Sequence, residues 1–186
     1  MQTNTHIIAA IGLSAGLLSA CGGGGSVMPD TAQTALADFL AIEEAAPGLG
    51  ATVAMPVSGS ANYEGNFVME AEGYDMVVVG DAGFNVNYAA GTMSGEASNF
   101  RSYMNPMTPE EASMANEGSI ALNGGFSPSG DIALLADGFI MFEGPVVINE
   151  VLGGQFYGPD AELLMVEGIE SDMAGPDLYL GIRAAR

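Results

Sequence analysis

The strongest constraint on this chain is a two-residue alternation that begins near Met55 and recurs to the C-terminus. In Ala61-Asn62-Tyr63-Glu64-Gly65-Asn66-Phe67-Val68-Met69-Glu70-Ala71-Glu72, the odd positions are apolar or glycine and the even ones are polar except Val68. Successive strand side chains point to opposite faces, so this pattern puts one face in a core and one in water. Ala82, Phe84, Val86 and Tyr88 repeat it against Gly83, Asn85 and Asn87. Met93, Gly95 and Ala97 follow against Thr92, Ser94, Glu96 and Ser98, after a tight link at Ala89-Ala90-Gly91 that reads as a hairpin. Further runs are Gly118–Gly124, Ile132–Phe142, Val146–Leu152, Ala161–Gly168 and Leu178–Ala184. With Met76–Tyr88 taken as one long bent strand, about eight strands are expected.

Glycines interrupt these runs and would each weaken a flat strand, but in a closed barrel they permit coiling and bulges. The fold class expected is therefore all-β: an eight-stranded antiparallel β-barrel over residues 55–186, with a sandwich as the alternative. A short helix precedes it. Asp30-Thr31-Ala32-Gln33 supplies an aspartate N-cap and a glutamine three residues on, and Ala32, Ala35, Leu36, Phe39 and Leu40 recur at helical spacing before Pro47-Gly48 stops the run. Residues 30–54 thus form a helix and linker. A second helix is expected at Pro109–Asn116, because Thr108-Pro109-Glu110-Glu111 is a capping box with proline at the first helical position. This insertion, starting at Arg101, carries Met104, Met107 and Met114. It is either a candidate ligand loop, since methionine suits adaptable apolar surfaces, or a plug for one barrel mouth.

The N-terminal segment is an address. Residues 7–20 carry no charge and are too short to span a bilayer, which takes roughly 20 residues. They end in Leu18-Ser19-Ala20-Cys21-Gly22, which is similar to a bacterial lipobox: cleavage between Ala20 and Cys21 removes a signal peptide (residues 1–20) and Cys21 receives the lipid. The Met1–His6 segment departs from the pattern in having no Lys or Arg. Gly22-Gly23-Gly24-Gly25-Ser26 follows; with no strand before it and no Lys-Ser/Thr after it, this is a flexible tether within residues 21–29 and not a phosphate loop. The residue after Cys21 is Gly, not Asp, which by resemblance to Gram-negative lipoproteins directs the chain to the outer membrane.

Charge and composition then remove whole classes of function. The formal net charge is −20, from 23 acids against three basic residues, all arginines. Three arginines cannot neutralise a run of phosphates, so a nucleic-acid binder is excluded. At 48% apolar the chain is no disordered acidic tail. After Cys21 there is no His, Lys or Cys, so Ser-His, Cys-His, Schiff-base and His-ligated metal chemistry are absent and no cofactor is implied. Only carboxylate chemistry remains, and no spacing singles out a pair. Glu110-Glu111 and Glu167–Asp172 lack the glycine-punctuated spacing of a calcium loop. Haem would have to be held by Tyr or Met, and no motif points to one.

Four segments resemble the barrel domain of the transferrin-binding protein B family of surface lipoproteins. They are Val57–Gly65, Phe84–Gly95, Gly153-Gly154-Gln155-Phe156-Tyr157-Gly158-Pro159-Asp160-Ala161-Glu162, and the closing strand Tyr179–Arg183. The third is similar to the family's G-x-F-Y-G-P-x-A-x-E signature, in which Phe156 and Tyr157 are expected to cap the barrel interior. The family's following glutamate and glycine pair should fall near Leu163, Met165 and Val166, but here the acid sits one place early and the glycines are gone. The resemblance implies one barrel at the cell surface, without the second lobe or handle of a transferrin receptor, and no particular ligand. A host or environmental protein, haem and a small solute are the ligand classes left open, with the membrane itself met through Cys21. The alternative is a small transmembrane or structural envelope barrel. Against a transmembrane barrel stand glutamates on the polar faces and the absence of aromatic girdles.

Overall fold

The computed structural model describes residues 31–71, 76–104, 113–142, 144–170 and 177–186. The proposed signal peptide, Ala20, Cys21, the glycine tether, the Asp30 cap, Met107 and the start of the insertion helix lie outside the described residues. The elements run α1 (Thr31–Leu49), β1 (Ser60–Ala71), β2 (Met76–Asn87), β3 (Thr92–Met104), β4 (Met114–Ala115), β5 (Gly118–Phe126), β6 (Asp131–Met141), β7 (Pro145–Tyr157), β8 (Leu163–Glu170) and β9 (Leu178–Ala185).

Eight strands close an antiparallel ring. The order is β2-β1-β9-β8-β7-β6-β5-β3, and β2 pairs back onto β3. Every neighbour in the ring is also a neighbour along the chain, save for the small β4 and the closing pair β1–β9, registered from Glu64↔Ala185 to Ala71↔Leu178. The expected hairpin is present, with β2 and β3 in register from Asn87↔Thr92.

Inward-facing residues follow the alternation. Tyr63, Phe67 and Met69 of β1, Phe84 and Val86 of β2, Leu134 and Ile140 of β6, Leu152 and Phe156 of β7, and Leu180 and Ile182 of β9 fill the ring as one cluster. Glycines stand where strands cross closest. A Cβ on Gly65 would meet the Arg183 carbonyl oxygen at 2.0 Å, and one on Gly154 would meet that of Met165 at 1.9 Å. No larger residue fits either place, and this is how a ring so small coils tightly enough to close.

One mouth is closed by the segment after α1. Thr52 donates its amide to the Phe156 carbonyl (2.9 Å) and its hydroxyl to that of Gly158 (2.7 Å), and the Met55 amide reaches Pro128 (3.0 Å). Beneath it, Phe156 packs against Tyr63 and Phe126, with ring centres 5.6 and 5.4 Å away. Phe156 therefore fills the interior as expected. Tyr157 is one residue on, so the pleat turns it to the outer face. The Tyr63 hydroxyl donates to the Ala161 carbonyl and lies 2.9 Å from the Tyr88 hydroxyl. Burial and the neighbouring Tyr88 push the Tyr63 phenol far above its ordinary value.

Two expectations are corrected. The first helix does not stop at Pro47-Gly48 but runs to Leu49. Pro47 lies in the last turn, where its missing N–H removes a single backbone bond. The stop is Gly50, at φ +71°, whose N–H bonds the Ala46 carbonyl (3.1 Å) in a left-handed cap. Second, the end of the Pro109–Asn116 helix is strand: Met114–Ala115 pairs with β3 at Arg101↔Ala115 and Ser102↔Met114. There β3 bulges at Asn99 (φ 55°), the register with β2 shifts between Val79 and Asp81, and the Asn116 amide bonds the Phe100 carbonyl (2.8 Å). The free side of β3 offers a ladder that outweighs the local helical signal.

Candidate functional site

Of the methionines of the candidate loop, Met104 ends β3 opposite Met76, and Met114 stands exposed (61%) on β4. The ring interior is occupied by the core, so the places where chemistry meets solvent are on the outer wall. Among the described residues no group of three or more acids, His or Cys is placed to hold a metal ion.

The outer wall has two apolar sectors, and α1 covers one of them. Val68 of β1, Val77 and Val79 of β2 and Tyr103 of β3 point outward yet are buried with Ala32 and Phe39 of the helix. Next to them lies Arg183 of β9, 2% exposed. Its guanidinium sits 4.8 Å from the centre of the Phe39 ring and donates to the carbonyls of Val166 (3.0 Å) and Ile182 (3.2 Å) and to Glu167 Oε2 (3.2 Å); Glu43 of the helix is 4.0 Å away. The same Glu167 oxygen accepts the Tyr179 hydroxyl (2.9 Å), and burial pushes the Tyr179 phenol up to about 12. The alternation in β9 marked Arg183 as outward. That it is covered was not readable, because α1 arrives from far along the chain. A groove of about 450 Å³ lies beside the helix at the Asn99 bulge, between Ala35 and Asn116, and another of about 290 Å³ lies on the wall between Gln155, Met165 and Arg183.

The second apolar sector has no cover among the described residues. On β6 and β7 the outward pairs Phe139↔Val147 and Met141↔Pro145 are adjacent, and Leu135↔Val151 follows beyond the polar pair Asp137↔Asn149. Leu135, Phe139, Met141, Val147, Val151 and Ile169 are 41, 45, 40, 57, 61 and 47% exposed. Single exposed apolar residues are ordinary, but contiguous ladder pairs of them mark interaction surfaces. Sequence reasoning took Ile132–Phe142 for a strand but missed this face. The signal was there in Leu134-Leu135 and Phe139-Ile140-Met141, where apolar residues occupy both phases of the pleat.

Acids surround this face. Asp137 sits between the apolar pairs opposite Asn149, whose amide reaches it at 3.4 Å. Asp131 lies at one end, held below the usual carboxylate range by the hydroxyls of Ser129 and Ser127. Glu117, whose carbonyl accepts the Met141 amide (2.7 Å), lies at the other. On β1, β2 and β3 the outward Asn62 and Glu64, Asp81 and Asn85, Ser94 and Glu96 are polar and solvent-facing.

No family model and no curated protein matches the chain. Solved structures do. A mutant of the vaccine antigen transferrin-binding protein B from Haemophilus parasuis is 18% identical, over 70% of this chain and 27% of that one, with a TM-score of 0.48. Intact Ap-TbpB, with its N and C lobes, is 16% identical over 73% of this chain and 28% of that one (TM-score 0.47). A structure described as a surface lipoprotein is 14% identical over 73% and 64% (TM-score 0.47). The chain spans about a quarter of the length of the transferrin-binding protein B structures. Each of these likenesses extends over about 70% of this chain.

Proposed function

We propose that this chain is a lipid-anchored outer-membrane lipoprotein, held by Cys21, whose barrel is a non-catalytic binding module presented to a protein partner. The observation that carries the reading is the bare apolar face of β6 and β7 on a ring whose interior is already full. Its volume is spent on Tyr63, Phe67, Leu134, Leu152, Phe156 and their neighbours, so ligand recognition falls to the outer wall. The outward acids oppose a transmembrane barrel, in which an outward apolar band faces lipid all round. Among the described residues, the buried Arg183 and the hydroxyls of Tyr63, Tyr88 and Tyr179 make structural bonds. After Cys21 the chain lacks the His, Lys and Cys on which nucleophilic and general-base chemistry usually rests.

The anchoring half is tested by expressing the full chain and its Cys21→Ala variant in a Gram-negative host and following them through membrane flotation. The parent is expected to float with the outer membrane and the variant to stay with the water-soluble fraction. A variant that still floats overturns the lipid anchor and returns the barrel to the transmembrane class.

A further inference from the structure

Resting on the binding-module reading, we propose that the outward face of β6 and β7 docks a basic partner protein, one that presents aliphatic or aromatic side chains flanked by Lys or Arg. The apolar pairs Leu135↔Val151 and Phe139↔Val147 supply the area that burial would remove from water. They alone fit any apolar partner; the charges around them narrow the choice. Asp137 stands between the pairs, Asp131 and Glu117 stand at the two ends, and Glu96 lies in the row of Asp137, joined to it across Ala121.

Arginine does not offset these acids. Arg183 is buried under α1, Arg101 bonds Ser113 at the bulge of β3, and Arg186 reaches Tyr88 at the closed mouth. The face thus joins apolar pairs to acids that stand between them and at its two ends. An interface of this kind selects by charge, since a like-charged rim is repelled and an opposite one is steered in. A second copy of this chain would bring the same acids and a net charge of −20 against its twin. An anionic lipid surface is opposed for the same reason.

The experiment is a selection from a displayed random-peptide library against the full chain in detergent micelles, counter-selected with the Phe139→Ser/Val147→Ser variant. Both side chains are exposed, so the variant is expected to keep the parent's circular dichroism. The enriched peptides should combine an aromatic or large aliphatic residue with several Lys or Arg. They should bind the variant roughly tenfold or more weakly. They should also weaken on Glu117→Gln/Asp131→Asn/Asp137→Asn and as salt is raised.

Peptides without basic residues, peptides that bind the variant as well as the parent, or no enrichment at all overturn the proposal. So does a parent dimer in sedimentation velocity that the double variant abolishes, since a second copy is then the occupant. Binding of the Cys21→Ala chain to phosphatidylglycerol vesicles through Phe139 and Val147 overturns it in favour of lipid. None of these outcomes depends on where the anchored chain floats, so this proposal and the anchor fall separately.

Discussion

The guanidinium of Arg183 lies 4.8 Å from the centre of the Phe39 ring, tying the ninth strand of the barrel to the helix that precedes the first. The contact is wholly on the outside of the ring. It makes α1 part of the wall and leaves the face of β6 and β7 as the uncovered counterpart.

Removing that arginine should loosen the helix. Arg183→Ala loses the ring contact, the packing of its stem and the bonds to the Val166 and Ile182 carbonyls. A loss of about 2–3 kcal/mol in urea unfolding is expected. Arg183→Met keeps the apolar stem and should stay within about 1 kcal/mol of the parent. Hydrogen exchange over residues 31–49 should rise for the alanine variant and little for the methionine one.

Neighbouring glycines of β7 should respond in opposite ways. At Gly154 an added Cβ would strike the Met165 carbonyl oxygen at 1.9 Å and Val166 Cα at 2.6 Å, whereas at Gly153 it meets nothing within 4 Å. Gly154→Ala should cost about 3 kcal/mol or more, because backbone has to move. Gly153→Ala should be neutral or gain up to about 1 kcal/mol from the stiffer unfolded chain. Equal effects in thermal melts would show that β7 and β8 do not approach as described.

At the closed mouth, Tyr63→Phe leaves the Ala161 carbonyl and the Tyr88 hydroxyl short of a partner inside the ring. About 1–3 kcal/mol should be lost. Tyr88→Phe should cost less, since Tyr63 still donates to Ala161.

Alkaline pH should unfold the chain through its buried phenols. Tyr103 and Tyr179 are each raised from 10.0 to about 12, chiefly by burial. A group whose folded value is raised stabilises fully below its unfolded value, and that contribution is lost as pH climbs to the folded one. Stability should therefore fall between about pH 10 and 12, by of order 2 kcal/mol for the buried Tyr103. Tyrosinate absorbance should rise with unfolding across this window, and Tyr103→Phe should shallow the slope.

The strands were legible because the phase of the inward face is written in adjacent residues, as from Ala61 to Ala71 and from Ala82 to Tyr88. The same locality explains the errors. Thr108-Pro109-Glu110-Glu111 is a sound helix signal, but whether Met114 and Ala115 obey it depends on the free side of β3, set by residues outside that window. Arg183 reads as a solvent-facing charge until Phe39 is laid over it. The bare face of β6 was legible only as a fault in the alternation at Leu134-Leu135, and nothing local says whether such a fault is covered, as Val77 and Val79 are, or left open, as Leu135 and Val151 are.

The pairing of β1 with β9 also sets a timetable. During synthesis β1 can find β2 at once, but its other edge stays open until the residues up to Ala185 have been made. A ring cannot be left nearly closed at little cost, since each open edge is a template for the wrong chain. Closure is therefore one late event that spans the whole barrel, and slow folding follows from such distant partners. Until then the chain is slack enough to be threaded through a narrow passage, and its acids, repelling one another, help to keep it so.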